Sequence, residues 1–296
     1  MDLAKFVSHF RIDMRDKFRL SEHDPADCFG LSIDKAEAKD ILDGDIKRLS
    51  ALQHRLYANG RWAVLIVLQG MDTAGKDGVI SHVISGINPQ GCEVHPFKAP
   101  SAEELDHDFL WRAGKRLPER GRIGIFNRSH YEEVLVVRVH PEMLDRQKIP
   151  AQLVGKDIWQ QRFEDIRNFE RHVARSGTLV LKFFLNISRE EQRRRLLVRL
   201  DEPAKRWKFS MGDIAERALW DKYMDAYEDI IRATSTAAAP WYVVPADHKW
   251  FSRLTVAAVL VDALEKLDLH LPKVEGAALE AMNKVRAALE AEKPGN

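Results

Sequence analysis

Seven consecutive apolar residues, Trp62-Ala-Val-Leu-Ile-Val-Leu68, run almost directly into Gly70-Met-Asp-Thr-Ala-Gly75-Lys76. An unbroken apolar run reads as a strand covered on both faces, which implies a parallel sheet flanked by helices. The loop after it fits G-x-x-x-x-G-K, and its place between strand and helix is the setting a phosphate-binding loop requires. Glycines let the backbone curl until successive N–H groups converge on phosphate oxygens. The next helix adds the positive end of its dipole, and Lys76 reaches the phosphate. A glycine-rich turn beside a chance lysine is the competing explanation, and the flanking strand and helix argue against it. The expected phosphate contacts are Gly70, Thr73, Ala74, Gly75, Lys76, Asp77 and Gly78.

Further β-like runs lie at Cys92 to Phe97, Arg122 to Phe126, Thr178 to Ile187 and Trp241 to Pro245. Helical patterns cover Lys35 to Leu56, Lys156 to Arg175, Arg189 to Leu200, Met211 to Arg232 and Arg253 to Leu267, with Ser188 and Glu191 as a capping box. Strands alternating with helices of this length predict crossover units in an α/β fold. The division predicted for 1–296 is a single domain. An irregular arm and a helix fill 1–56, the core takes 57–200 and 241–270, a helical lid takes 201–240, and a C-terminal helix with a frayed end takes 271–296.

Composition removes whole classes. Apolar residues are 45% of the 296, with 7 Trp and 13 Phe, which is core enough to exclude disorder. Cys28 and Cys92 form no C-x-x-C pair, so neither a disulfide framework nor a cysteine-rich zinc site is expected. No signal-peptide core and no bilayer-length apolar run occur, so a cytoplasmic protein free of membranes is expected.

The loop departs from its pattern at two places. Asp77 stands where Ser or Thr would meet Mg²⁺, and an acidic residue in the first turn of a helix is favoured by the dipole alone. Asp72 lies inside the loop, where phosphates would repel it unless a cation intervenes. It is therefore read as a metal ligand or as a group that orients the attacking oxygen. A second strand ends in Phe126-Asn127-Arg128-Ser129-His130-Tyr131-Glu132-Glu133. Ligands of open α/β sheets bind at such carboxyl ends. Asn127 occupies a position where Asp would be usual, and Glu132 can supply the missing carboxylate. The Arg128 fork suits a phosphate, while Ser129 and Glu132 also fit a helix cap.

Net charge is only +1, from 46 Lys+Arg against 45 Asp+Glu, yet two stretches concentrate cations. One holds Arg112, Lys115, Arg116, Arg120 and Arg122 against Glu119; the other, Arg189 to Lys208, holds eight cations and four acids. Solvated helix faces would explain both. A cationic trough for a long anion would too, with the first stretch as the channel and Lys205 and Lys208 as phosphate contacts beside a packed Trp207.

Together these motifs, with Pro203-Ala-Lys-Arg-Trp-Lys208, Ala239-Pro-Trp-Tyr-Val-Val-Pro-Ala-Asp247 and Lys249-Trp250, resemble the type 2 polyphosphate kinase family over most of the chain. The resemblance implies a three-layer α/β/α P-loop kinase core with a parallel sheet and a helical lid, similar in shape to thymidylate kinase. It implies reversible transfer of the terminal phosphoryl group of polyphosphate to a nucleotide, Mg²⁺ or Mn²⁺ as cofactor, and a homodimer or homotetramer. Asp72 and Lys76 match the family's loop carboxylate and lysine, Arg128 its phosphate-binding arginine, and Lys205 and Lys208 its lid cations. Asn127 with Glu132 resembles the third subclass, which accepts nucleoside mono- and diphosphates such as AMP and ADP. Two other readings stay open: an ATP-dependent nucleoside or nucleotide kinase, and a non-catalytic polyanion-binding module. No nucleic-acid-recognition motif is present.

Overall fold

The computed structural model describes residues 2–13, 17–31 and 33–292. Five strands, β1 (Ala63–Gln69), β2 (Cys92–Pro96), β3 (Ile123–Asn127), β4 (Thr178–Asn186) and β5 (Trp241–Pro245), form one sheet in the order β2-β3-β1-β4-β5. Every ladder is parallel. All seven residues of β1 are buried, as its apolar run requires. Leu68 stands opposite both Asn127 and Phe183, so the carboxyl ends of three central strands lie level. The chain visits β2 and β3 on one side of β1 and then β4 and β5 on the other. That switch of direction opens a crevice at the carboxyl edge, where the phosphate loop emerges.

Side-chain alternation along β4 separates the layers. Lys182 and Phe184 point at Ile158–Arg175 and Trp220–Thr234, through Glu170 and the Tyr227 ring. The other face carries Lys35–Asn59, closed at its start by a complete Asp34–Glu37 capping box, and Lys249–Glu265, buried almost throughout from Phe251 to Leu264. Three layers, α/β/α, result.

Five sequence expectations are corrected. The N-terminal arm is not irregular: Leu3–Ser8 is helical, and Phe6 and Phe10 pack on Phe251. Its continuation bridges β5, where the Ile12 amide donates to the Trp241 carbonyl and Val243 to Phe10, both at 2.9 Å. Six residues are too short a helix to show periodicity. Met211 to Arg232 is two helices, Met211–Ala218 and Trp220–Thr234, broken at Leu219. The second buries Trp220, Tyr223, Tyr227, Ile230 and Ile231. Ser188 caps its helix, but Glu191 does not complete the box because Arg194 and Arg195 hold its carboxylate. Trp207, expected to anchor packing, is 77% exposed, since nothing in the turn Pro203–Lys208 is buried. The helix expected from Arg253 begins four residues earlier, at Lys249. Ala277–Ala291 forms the C-terminal helix; 293–296, read as its frayed end, and arm positions 1, 14–16 and 32 lie outside the described residues.

Candidate active site

The curl of the loop needs positive φ at Gly70 (152°), Thr73 (65°) and Gly75 (117°). At Gly70 a Cβ would meet the Leu185 carbonyl oxygen at 2.9 Å, so that position demands glycine on space as well as on φ. The loop carbonyls are held by side chains of Arg189–Asp201. Arg195 donates to the carbonyls of Thr73 (2.9 Å) and Ala74 (3.0 Å), and also to those of Ala246 (2.6 Å) and Asp247 (3.0 Å). Gln192 donates to the carbonyl of Asp72 at 3.2 Å. The Asp72, Thr73 and Ala74 carbonyls are thus taken up by Arg189–Asp201. Lys76 is buried and folds back onto the Gly70 (2.6 Å) and Met71 (3.2 Å) carbonyls. Burial, with the neighbouring Arg128 charge, lowers its ammonium to about 8.

Across the crevice, Arg128 sits at φ 62° immediately after β3, its amide on the Leu68 carbonyl at 3.0 Å. Its guanidinium spans two carboxylates, Asp72 at 2.5 Å and Glu132 at 3.1 Å. The Glu132 charge, then that of Asp72, raises its pKa despite burial. Arg128 and Glu132 flank Tyr131, which is held from below. The Tyr131 hydroxyl donates to Glu170 (2.7 Å), and the fully buried Lys182 ammonium donates to Tyr131 (2.9 Å), Glu170 (2.6 Å) and the Thr234 carbonyl (2.8 Å). His130, fully buried 3.8 Å from Glu170, has its pKa lowered by burial. Asn127 turns the other way and donates to Asp77 at 2.9 Å.

Two cavities meet here. One, about 480 Å³, runs from the phosphate loop past Arg194, Arg195, Arg199, Lys205, Lys208, Lys249 and Arg253. The other, about 390 Å³, has a largely apolar wall that includes Leu135, Val136, Met143, Tyr223 and Tyr227, with Glu132 and Glu216 among its polar groups. Asp72, Phe97, Lys98 and Arg128 line both. The site thus joins a strongly basic trough to an apolar slot across an arginine–dicarboxylate seam.

Of the residues expected at the site, Asp72, Thr73, Gly75, Lys76, Asp77, Gly78, Asn127, Arg128, Lys205 and Lys208 line the trough. Gly70 and Glu132 lie on the apolar side. The residues of the expected Arg112–Arg122 channel are not brought together along the trough. Arg120 donates to the Arg61 carbonyl before β1 and Arg122 to the Gln90 carbonyl before β2, both at the amino edge of the sheet. Lys115 pairs with Glu103 and covers Trp111, and Arg116 lines neither cavity. Arg112 lines the apolar slot, buried against Glu133. Residues immediately preceding a strand arrive at its amino end, so Arg120 and Arg122 do not reach the crevice. Lys98, Lys249 and Arg253 went unassigned in the sequence; each follows the carboxyl end of β2 or β5, which is the signal that marks them.

The family model described as Polyphosphate kinase 2 (PPK2) matches residues 32–272. An "ADP-polyphosphate phosphotransferase" of Rhodopseudomonas palustris is 52% identical over 256 residues, 86% of this chain and 89% of that protein. An "AMP/ADP-polyphosphate phosphotransferase" of Meiothermus ruber is 47% identical over 272 residues, 92% of this chain and 98% of that protein. The crystal structure of polyphosphate kinase 2 from Arthrobacter aurescens TC1 superposes with a TM-score of 0.86 at 42% identity, covering 95% of this chain and 96% of that one. Fold, phosphate loop and these likenesses agree: the chain belongs to the polyphosphate kinase 2 family.

Proposed function

We infer that the chain is a polyphosphate-dependent nucleotide phosphotransferase, passing the terminal phosphoryl group of polyphosphate reversibly to AMP or ADP. One observation carries the reading: a trough lined by at least six Lys and Arg side chains opens into an apolar slot at Asp72 and Arg128. A repeating anion suits the trough, and a nucleoside with a flat base suits the slot. The acceptor phosphate then faces the donor's last phosphorus at the seam. Catalysis is positioning and charge stabilisation: the loop amides and Lys76 hold the donor terminus, and Arg128 clamps across the junction. The turn Pro203–Lys208 and the helix Met211–Ala218 act as the lid, with Lys205 and Lys208 as its phosphate contacts.

A divalent cation, Mg²⁺ or Mn²⁺, fits this donor set. Among the described residues no cluster of three or more metal-ligating side chains exists, so a closed protein cage is absent. Mg²⁺ is instead held by one or two carboxylates together with substrate phosphates. Asp72 and Glu132 provide them, and the buried Oε1 of Glu132 has no hydrogen-bond partner. Bound there, the ion would shield phosphate charge.

A cytoplasmic homo-oligomer, dimer or tetramer, completes the reading. Its support is the exposed seam Ala278, Met282, Val285 and Leu289, spaced as paired helices require. No described helix is long and apolar enough to cross a membrane. The test is luciferase light from ADP and polyphosphate with no ATP added. Light that depends on polyphosphate is expected; light only when a nucleoside triphosphate donor replaces it would favour an ordinary nucleotide kinase.

A further inference from the structure

The two cavities meet at a seam lined by Asp72, Phe97, Lys98 and Arg128. Two of the cations near it are already committed to the protein. Arg128 is shared between Asp72 and Glu132, and Lys76 is folded onto two loop carbonyls. Of the lid lysines, Lys205 pairs with Glu202 at 2.5 Å and Lys208 lies 4.0 Å from Asp77. Lys98 differs. Its side chain is exposed, and its ammonium has no hydrogen-bond or ion-pair partner among the described residues.

Its backbone, by contrast, is fixed. Phe97 extends the ladder by donating its amide to the Asn127 carbonyl at 3.0 Å, and the Lys98 carbonyl accepts from Arg112 at 2.8 Å. Arg112 is itself buried, paired with Glu133 at 3.3 Å and seated 5.3 Å from the centre of the Phe97 ring. An anchored backbone at the junction with an uncommitted charge on a flexible four-carbon stem leaves that charge free to move onto developing negative charge.

We propose that Lys98 is a catalytic residue, its ammonium contacting the non-bridging oxygens of the transferred phosphoryl group. The assignment rests on the phosphotransferase reading above. In the step, an anionic oxygen of the acceptor's terminal phosphate forms a bond to the donor's terminal phosphorus. The bond from that phosphorus to its bridging oxygen breaks, and the electron pair stays on that oxygen, which becomes the end of the shortened chain. No proton need move, so a fixed positive charge is the contribution required of Lys98.

Steady-state kinetics of Lys98→Met and Lys98→Arg, with polyphosphate and ADP each varied, test this. Losing one donor that stabilises transition-state charge costs about 10²–10³-fold in kcat. Lys98→Met should lose about that much, with both KM values within a few-fold of wild type. Lys98→Arg should recover part of the loss, and both variants should melt with the wild type because no protein partner is removed. A Lys98→Met kcat within threefold of wild type, or a loss expressed wholly in one KM, would overturn the assignment. If wild type is silent with polyphosphate but turns over ATP and a nucleotide, the donor reading fails, and the same comparison made with ATP still decides Lys98. A wild type silent with both donors would overturn the two together.

Discussion

Lys182 and Glu170 are fully enclosed beneath the turn that carries Arg128 and Glu132, with side-chain exposures of 0% and 2%. The three hydrogens of the ammonium match its three acceptors, Glu170, Tyr131 and the Thr234 carbonyl. Lys182→Met keeps most of the side-chain volume but strands the Glu170 carboxylate, leaving it the Tyr131 hydroxyl at 2.7 Å and His130 at 3.8 Å. Breaking a buried pair from one side costs about 3–5 kcal/mol. At roughly 2 °C per kcal/mol for a chain of this size, Tm should fall by about 6–10 °C. Glu170→Gln should cost a similar amount by stranding the ammonium. The double variant Lys182→Met/Glu170→Leu removes both charges. It should cost less than the sum of the singles, keeping mainly the penalty of about 1–3 kcal/mol for unpaired Tyr131 and Thr234 groups. Urea melts followed by tryptophan fluorescence, with calorimetry for Tm, measure all three. A Lys182→Met loss below about 1 kcal/mol, or a double variant as damaged as the two singles added, would refute the claim that each charge is held by the other.

Two further outcomes are expected. Burial lowers the Lys76 pKa to about 8 from an ordinary 10.5, so between those values the folded state binds fewer protons than the unfolded one. The burial cost, full below pH 8, is therefore relieved as pH rises through that window. A polyphosphate chain beside Lys76 restores the charge, so binding at pH 8.5 should take up a fraction of a proton. Titration calorimetry in two buffers of different ionisation enthalpy reads this directly, and a binding heat independent of buffer would contradict it. Arg253 lines the trough whereas Arg120 and Arg122 lie at the far edge of the sheet. Arg253→Ala should therefore raise the polyphosphate KM about tenfold, one charge-assisted contact, while Arg120→Ala and Arg122→Ala leave it within about twofold; equal effects at all three would return the channel to the first basic stretch.

What was legible and what was not divides along one physical line. β1 could be read because a strand buried on both faces has no polar positions to blur it, and the loop after it because phosphate binding dictates glycine spacing. The N-terminal helix and the Leu219 break were not legible. Burial of Phe6 and Phe10 against Phe251 sets the first, and packing of Tyr227 on Phe184 places the helix after the second. Both are contacts between segments remote in sequence. Within the site, the Arg112–Arg122 stretch was hard to place because density of charge along a chain reports solvation as readily as recognition. A better criterion needs only the strand order of the chain. Arg120 and Arg122 precede β3 and so fall at its amino end, while Lys98 follows β2 and Lys249 and Arg253 follow β5, at the end where the crevice opens. A cation in the second kind of position can face the crevice, and Arg120 and Arg122 in the first cannot.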